Sequence, residues 1–235
     1  MLRALNGEVD GAAWTANDDR FLRHNLPLAG HGRALPAKHD VVFSLLDGNI
    51  GHVALNSFED DGSPDRFAAA FERISQTDAL VVDLRDNPGR GSDNGWKILA
   101  YLMGRSFNTV RWMGRSYVLI KRGFPCHGEG RVTSSAGVWS ASAVQPYTRP
   151  VAVLIGPHSG LAAEDFAVTF DAARRGDVLG EPTGRADDGP GVQPHRLVHP
   201  TVSDIRAGRD TVLLAAWHSL AQARHAAGGQ RPNDA

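Results

Sequence analysis

The chain predicts an α/β protein with a mostly parallel sheet, and three observations carry that expectation. Residues 79–84 and 151–155 are short, nearly all-apolar runs, the pattern of strands covered on both faces. Stretches with apolar residues at helical spacing follow each of them. The alternation of strand and helix then implies right-handed crossovers and parallel neighbours.

The elements follow in order. Residues 1–40 are weakly patterned; residues 14–28 suit one or two short helices, and Gly30, Gly32 and Pro36 interrupt anything longer. This stretch reads as an N-terminal arm or the remnant of a larger N-terminal region. Residues 41–46 and 51–55 are apolar or alternating runs around Asp47-Gly48-Asn49, a hairpin signal. Ser63-Pro64-Asp65 opens a helix, with Ser63 suited to the N-cap and Pro64 to the first helical position. Phe67, Ala70, Phe71 and Ile74 form its buried face. The strand at 79–84 runs into a glycine-containing turn at 87–91 and a helix at 93–103, with Trp96, Leu99 and Leu102 in phase.

Residues 109–122 and 137–142 read as an inserted β excursion. Residues 151–155 return as a buried strand, 162–174 form a third helix, and 178–180 a brief strand. A polar, Gly-rich loop at 183–191 precedes weak strand character at 192–199. A helix at 210–226 carries Val212, Leu213, Ala216 and Leu220 on one face. One domain over 41–226, followed by a disordered tail at 227–235, accounts for the pattern. No internal repeat is present.

Composition narrows the function classes. The chain has 235 residues, 42% hydrophobic and 22% charged, with a net charge of −1 and no long run of one sign. This gives no electrostatic reason to expect nucleic acid or an anionic membrane as partner. Cys126 is the only cysteine, which rules out an internal disulfide. Residues 1–14 carry Glu8 and Asp10 and lack a continuous apolar stretch, so they do not read as a signal peptide, and no apolar run is long enough to span a bilayer. The chain as it stands reads as cytoplasmic, and as exported if a leader has been removed.

The segment 151–166 is the most informative. It reads as a buried strand, a tight turn through His158, Ser159 and Gly160, and a helix start at Leu161. A side chain at such a turn sits at the positive end of a helix beside free backbone N–H groups. Ligands of open α/β sheets lie beyond the carboxyl ends of the strands. The 87–91 and 158–161 turns both lie there and are expected to face one cleft.

At these turns the chain resembles the C-terminal-processing (tail-specific) serine peptidases, a family that includes the tricorn core and the repeats of the interphotoreceptor retinoid-binding protein. Four segments carry the resemblance, in family order: Asp83-Leu84-Arg85-Asp86-Asn87-Pro88-Gly89 with Ser92-Asp93-Asn94-Gly95; Gly156-Pro157 through Ala162-Ala163-Glu164-Asp165-Phe166; Gly180-Glu181-Pro182-Thr183-Gly184; and Gly191-Val192-Gln193-Pro194 through Asp204 to Asp210. The resemblance implies a ClpP/crotonase-like fold of stacked ββα units and peptide-bond hydrolysis by a serine acyl-enzyme, with no metal or organic cofactor.

It also implies a site, and this chain departs from it. The family's serine stands three residues before the glutamate of Ser-Ala-x-Glu; here that position is Leu161, which has no lone pair and no proton to give up. Ser159 is a candidate substitute nucleophile, and the simpler reading is a turn serine bonding its own backbone. One branch uses a lysine shortly after Glu-Pro-Thr. Here Arg185 follows Gly184, and no lysine occurs beyond Lys121. Arginine keeps its proton and cannot act as a base. The tricorn-like branch uses a histidine and a late acidic residue, for which His31 or His39 and Asp188 are the candidates. The implied oxyanion-hole donors are the backbone N–H groups of Gly89, Arg90 and Ala162. Arg90 stands where the family usually has a second glycine, so a positive φ there would be strained.

Gly89-Arg90-Gly91 before a helix departs from a dinucleotide fingerprint, and no Walker lysine follows. Ten histidines include no H-E-x-x-H pair, and His195 and His199 are flanked by Pro194 and Pro200. Cys126-His127 reads as an idle cysteine beside a loop histidine. The expectation is therefore a tail-specific-peptidase-like domain that is inactive or impaired and keeps binding of a peptide, a protein C-terminal segment or a small apolar ligand. Two alternatives stay open: an active serine hydrolase using Ser159 or a rebuilt site, and a non-catalytic module that assembles as a homo-oligomer.

Overall fold

A computed structural model describes residues 5–8, 40–109, 137–140, 145–184 and 191–228. Its elements are strands β1 (Leu5–Glu8), β2 (Val41–Leu46) and β3 (Ile50–Leu55), helix α1 (Ser63–Ile74), strand β4 (Ala79–Asp83) and helix α2 (Ser92–Ala100). Strands β5 (Phe107–Asn108), β6 (Val138–Trp139) and β7 (Val151–Ile155) come next, then helix α3 (Leu161–Ala172) and strands β8 (Asp177–Gly180) and β9 (Arg196–Leu197). Helices α4 (Val202–Arg206) and α5 (Thr211–Gly228) complete the order.

Seven strands form one sheet in the order β1-β2-β3-β4-β7-β8-β9, and β5 pairs with β6 in a separate two-stranded ribbon. The β2–β3 hairpin is antiparallel, with Val41 opposite Leu55, and β1 adds to it antiparallel. From β3 onward every neighbouring pair is parallel. This is the mixed, mostly parallel α/β sheet that the apolar strand runs predicted.

Side-chain alternation along the strands divides the core into two layers. Leu80, Val82, Val151, Val153 and Ile155 face one side, where they pack with Phe67, Phe71, Leu99, Phe166 and Phe170 of α1, α2 and α3, and with Leu102 just past α2. Ala79, Val81, Ala152 and Leu154 face the other side and pack with Val212, Leu213, Ala216 and Leu220 of α5. The sheet is thus covered on both faces, and its C-terminal edge is left to the loops.

Several local expectations are corrected. The N-cap of α1 is Gly62, with Ser63 and Pro64 inside the first turn, and no side chain caps it. The Ser63 hydroxyl donates instead to buried Asp40 at 3.1 Å, a contact 23 residues away in sequence. Helix α2 starts at Ser92 and ends at Ala100, short of the expected 103. Strand β1 and helix α4 carried no sequence signal. The last helix reaches Gly228, beyond the expected 226, and residues 229–235 lie outside the described residues. Of the expected β excursion only residues 109 and 137–140 are described; β6 falls there, and its partner β5 lies at 107–108, just before the expected start.

Candidate functional site

The site rests on a buried charge relay at the C-terminal end of β4. His52 and Ser44 pair across β3 and β2, both fully buried, with the hydroxyl and Nδ1 3.2 Å apart. His52 Nε2 lies 3.2 Å from Asp83. Arg85 grips the same carboxylate through Nε and a terminal nitrogen, and reaches Asp210 with both terminal nitrogens at 2.9 and 2.7 Å. Asp210 in turn accepts the Leu213 backbone N–H at 2.9 Å and so caps α5. Burial pushes the Asp83 carboxyl upward, but the Arg85 charge and the hydrogen bonds from His52 and Arg85 outweigh it and hold it well below the usual carboxylate range.

Above this relay two turns are stitched together. Asn87 anchors the first by donating its amide to Leu55 O at 2.9 Å. Asn87 O accepts from Gly160 N–H at 2.9 Å, and Gly89 O accepts from Ala162 N–H at 3.0 Å. The Gly89 N–H donates to Asn87 Oδ1 at 2.9 Å. Gly89 and Gly91 both adopt φ +79°, whereas Arg90 is not among the positive-φ residues. Arg90 is therefore unstrained, because the glycines on either side take the turn. The two turns were expected to flank a cleft; direct hydrogen bonds join them in a seam instead.

The second turn places its residues differently from one another. Ser159 is fully buried; its hydroxyl donates to Leu84 O at 2.8 Å and accepts the Gly156 N–H at 3.0 Å. Leu161, the first residue of α3, is 57% exposed although the ten residues after it are buried. Gly160, in extended conformation, is its N-cap and offers no side chain. Behind it, buried Glu164 receives a short hydrogen bond from the Thr183 hydroxyl, which also accepts the Val192 N–H at 2.8 Å. The Gly184 N–H donates to Pro157 O at 3.0 Å. These bonds fasten the 181–184 and 191–192 segments beside the start of α3.

One pair escaped the sequence reading. Half-exposed Asp86 and His158 approach to 3.6 Å across the two turns. Desolvation and the Asp83 charge raise the Asp86 pKa, against Arg85 and His158. No spacing rule connects residues 72 positions apart, so only the fold reveals them. His31, His39, Arg185 and Asp188 lie outside the described residues. Among the described residues no group of three or more His, Cys, Asp or Glu is placed to hold a metal ion, and no helix is long and apolar enough to cross a membrane.

Comparison with known proteins decides the family. A model of peptidase family S41 matches residues 49–197. The chain belongs to peptidase family S41. No curated protein matches it. Among solved structures, a peptidase from Parabacteroides merdae is similar with a TM-score of 0.61 at 22% identity, covering 86% of this chain and 68% of that one. Mature CPAF in complex with lactacystin gives 0.52 at 14% identity, covering 78% and 53%. An S41 protease from Bacteroides fragilis gives 0.52 at 14%, covering 74% and 54%. These likenesses carry the fold, the ClpP/crotonase-like α/β fold of S41 peptidases, and the chain spans about half the length of the last two.

In this S41 domain three of the four segments that carry the resemblance converge. The Asp83–Gly89, Gly156–Phe166 and Gly180–Gly184 segments meet at the C-terminal ends of β4, β7 and β8. The position that the resemblance assigns to the nucleophile holds Leu161, exposed at the start of α3. The N–H groups of Gly89 and Ala162, two of the implied oxyanion donors, bond within the protein.

Proposed function

We propose that this S41 domain binds an extended peptide or an apolar ligand over the seam between the Gly89 and Leu161 turns, without forming a serine acyl-enzyme there. The observation that carries the reading is the exposed leucine at the start of α3. A hydrocarbon cannot attack a carbonyl, and it adds apolar surface where a substrate chain would lie. Ser159, the nearest serine, supports the same reading: a fully buried hydroxyl that already donates and accepts is held as a structural strut.

A fluorophosphonate probe tests the catalytic half. No serine is labelled if the reading holds, and labelling at any serine overturns it in favour of an active hydrolase. Fluorescence anisotropy with a fluorescein-tagged peptide ending in apolar residues and a free carboxylate tests the binding half. The peptide binds the wild type, and Leu161→Glu weakens it by a desolvation loss of about 1–3 kcal/mol. Equal affinity in both proteins, or no binding alongside a stable homo-oligomer in light scattering, favours the assembly-module reading instead.

A further inference from the structure

The Gly89 carbonyl occupies the position that a donor would need to fill. It accepts the Ala162 N–H at 3.0 Å, so the one backbone donor at the start of α3 that the S41 resemblance assigns to an oxyanion is plugged by an acceptor. The preceding peptide is pinned independently, since the Gly89 N–H bonds to Asn87 Oδ1. The Gly89–Arg90 peptide carries the plugging carbonyl, so its orientation sets the character of the seat. A half-turn of that peptide withdraws the carbonyl and brings the Arg90 N–H toward Ala162, leaving two donors side by side.

Such a half-turn alters ψ of residue 89 and φ of residue 90 by about 180° in opposite senses, because the peptide plane itself stays rigid. Gly89, already at φ +79°, has no Cβ to restrict its ψ. Residue 90 does. Arg90 sits outside the positive-φ residues, and the half-turn carries its φ to the positive side, where a Cβ meets its own backbone. We infer that Arg90 is a conformational lock: its Cβ holds the Gly89 carbonyl in the Ala162 N–H and keeps the donor pair closed. The ion pair of Arg90 with Glu59, at 3.1 Å, joins two largely exposed side chains and contributes little to this hold.

The inference rests on reading the seam as the S41 seat, but its test uses neither ligand nor catalysis, so its failure and the failure of that reading are distinguishable. Amide hydrogen exchange is followed by NMR in the wild type, Arg90→Gly and Arg90→Ala, and the Ala162 rate is divided by that of Val153 in the buried strand β7 to cancel global opening. Arg90→Gly is expected to raise this ratio about tenfold, and Arg90→Ala, which keeps the Cβ, to leave it within about twofold of the wild type. A rise of less than about threefold in Arg90→Gly, or an equal rise in Arg90→Ala, overturns the lock.

Discussion

Arg85 holds Asp210 with both terminal nitrogens and thereby ties the end of β4 to the first turn of α5. The two residues are 125 positions apart, and the bond joins the sheet to the helix that covers its second face. Removing the guanidinium leaves Asp83 and Asp210 buried without their cation. Arg85→Leu is expected to destabilise the fold by about 3–5 kcal/mol, read from urea denaturation. Asp210→Asn keeps an acceptor for the Leu213 N–H, so it should lose less than Asp210→Ala, which gives up both the charge and the cap.

The same relay sets a pH dependence. Asp83 has a folded pKa below its unfolded value, so its contribution is fully present above an unfolded pKa of about 3.9 and is lost as pH falls toward the folded value. Asp86 and Asp171, with raised pKa values, act in the opposite sense, because acid favours their protonated form in the fold. Thermal stability should therefore fall progressively below about pH 4, and Asp83→Asn should flatten that acid limb while lowering stability at neutral pH. An unchanged acid slope in the variant would remove Asp83 as its source.

Ser159 gives a separate test of its place in the turn. Its hydroxyl serves the Leu84 carbonyl and the Gly156 N–H, both in the frame of the seam. Ser159→Ala should lower stability by about 1–3 kcal/mol through these unmet groups, measured by chemical denaturation. Peptide binding by the variant at a temperature where it remains folded should match the wild type.

The core was legible in the sequence because burial writes itself as pattern. Strands β4 and β7 are continuous apolar runs covered on both faces, and α1 shows its packed face in Phe67, Ala70, Phe71 and Ile74. The Asp47-Gly48-Asn49 signal marked the β2–β3 turn, where Gly48 and Asn49 take positive φ. What the sequence hid depends on partners far along the chain. Asp40 draws the Ser63 hydroxyl away from capping, and the short edge strands β1 and β9 exist through their pairing with β2 and β8. The turn from β7 into α3 was readable from the apolar run and the Pro157-His158-Ser159-Gly160 break that follows it. The plugged donors were not, because a hydrogen bond between the two turns has no linear signature. Nor did the glycine pattern say that Gly89 and Gly91 would spare Arg90 the positive φ.

Thr183 links three segments behind the seat. Its hydroxyl donates to Glu164 and accepts from the Val192 N–H. Thr183→Val preserves shape while leaving a buried carboxylate and a buried amide short of a partner, a loss of about 2–4 kcal/mol. Thr183→Ser keeps the hydroxyl and should retain most of the stability. Denaturation curves of the two variants separate the hydroxyl's role from that of the methyl group.

Gly89 makes the sharpest prediction. A Cβ built on it would lie 2.0 Å from the Gly160 carbonyl oxygen and 2.6 Å from the Leu161 nitrogen, both backbone atoms that cannot swing aside. Its φ of +79° adds the strain that any L side chain meets there. Gly89→Ala should therefore part the two turns and destabilise the domain by roughly 2–5 kcal/mol. Gly104, with nothing within 4 Å of its added Cβ, is the control, and Gly104→Ala should leave the unfolding midpoint nearly unchanged. If the two variants unfold alike, the seam between Gly89 and Gly160 does not hold the site together.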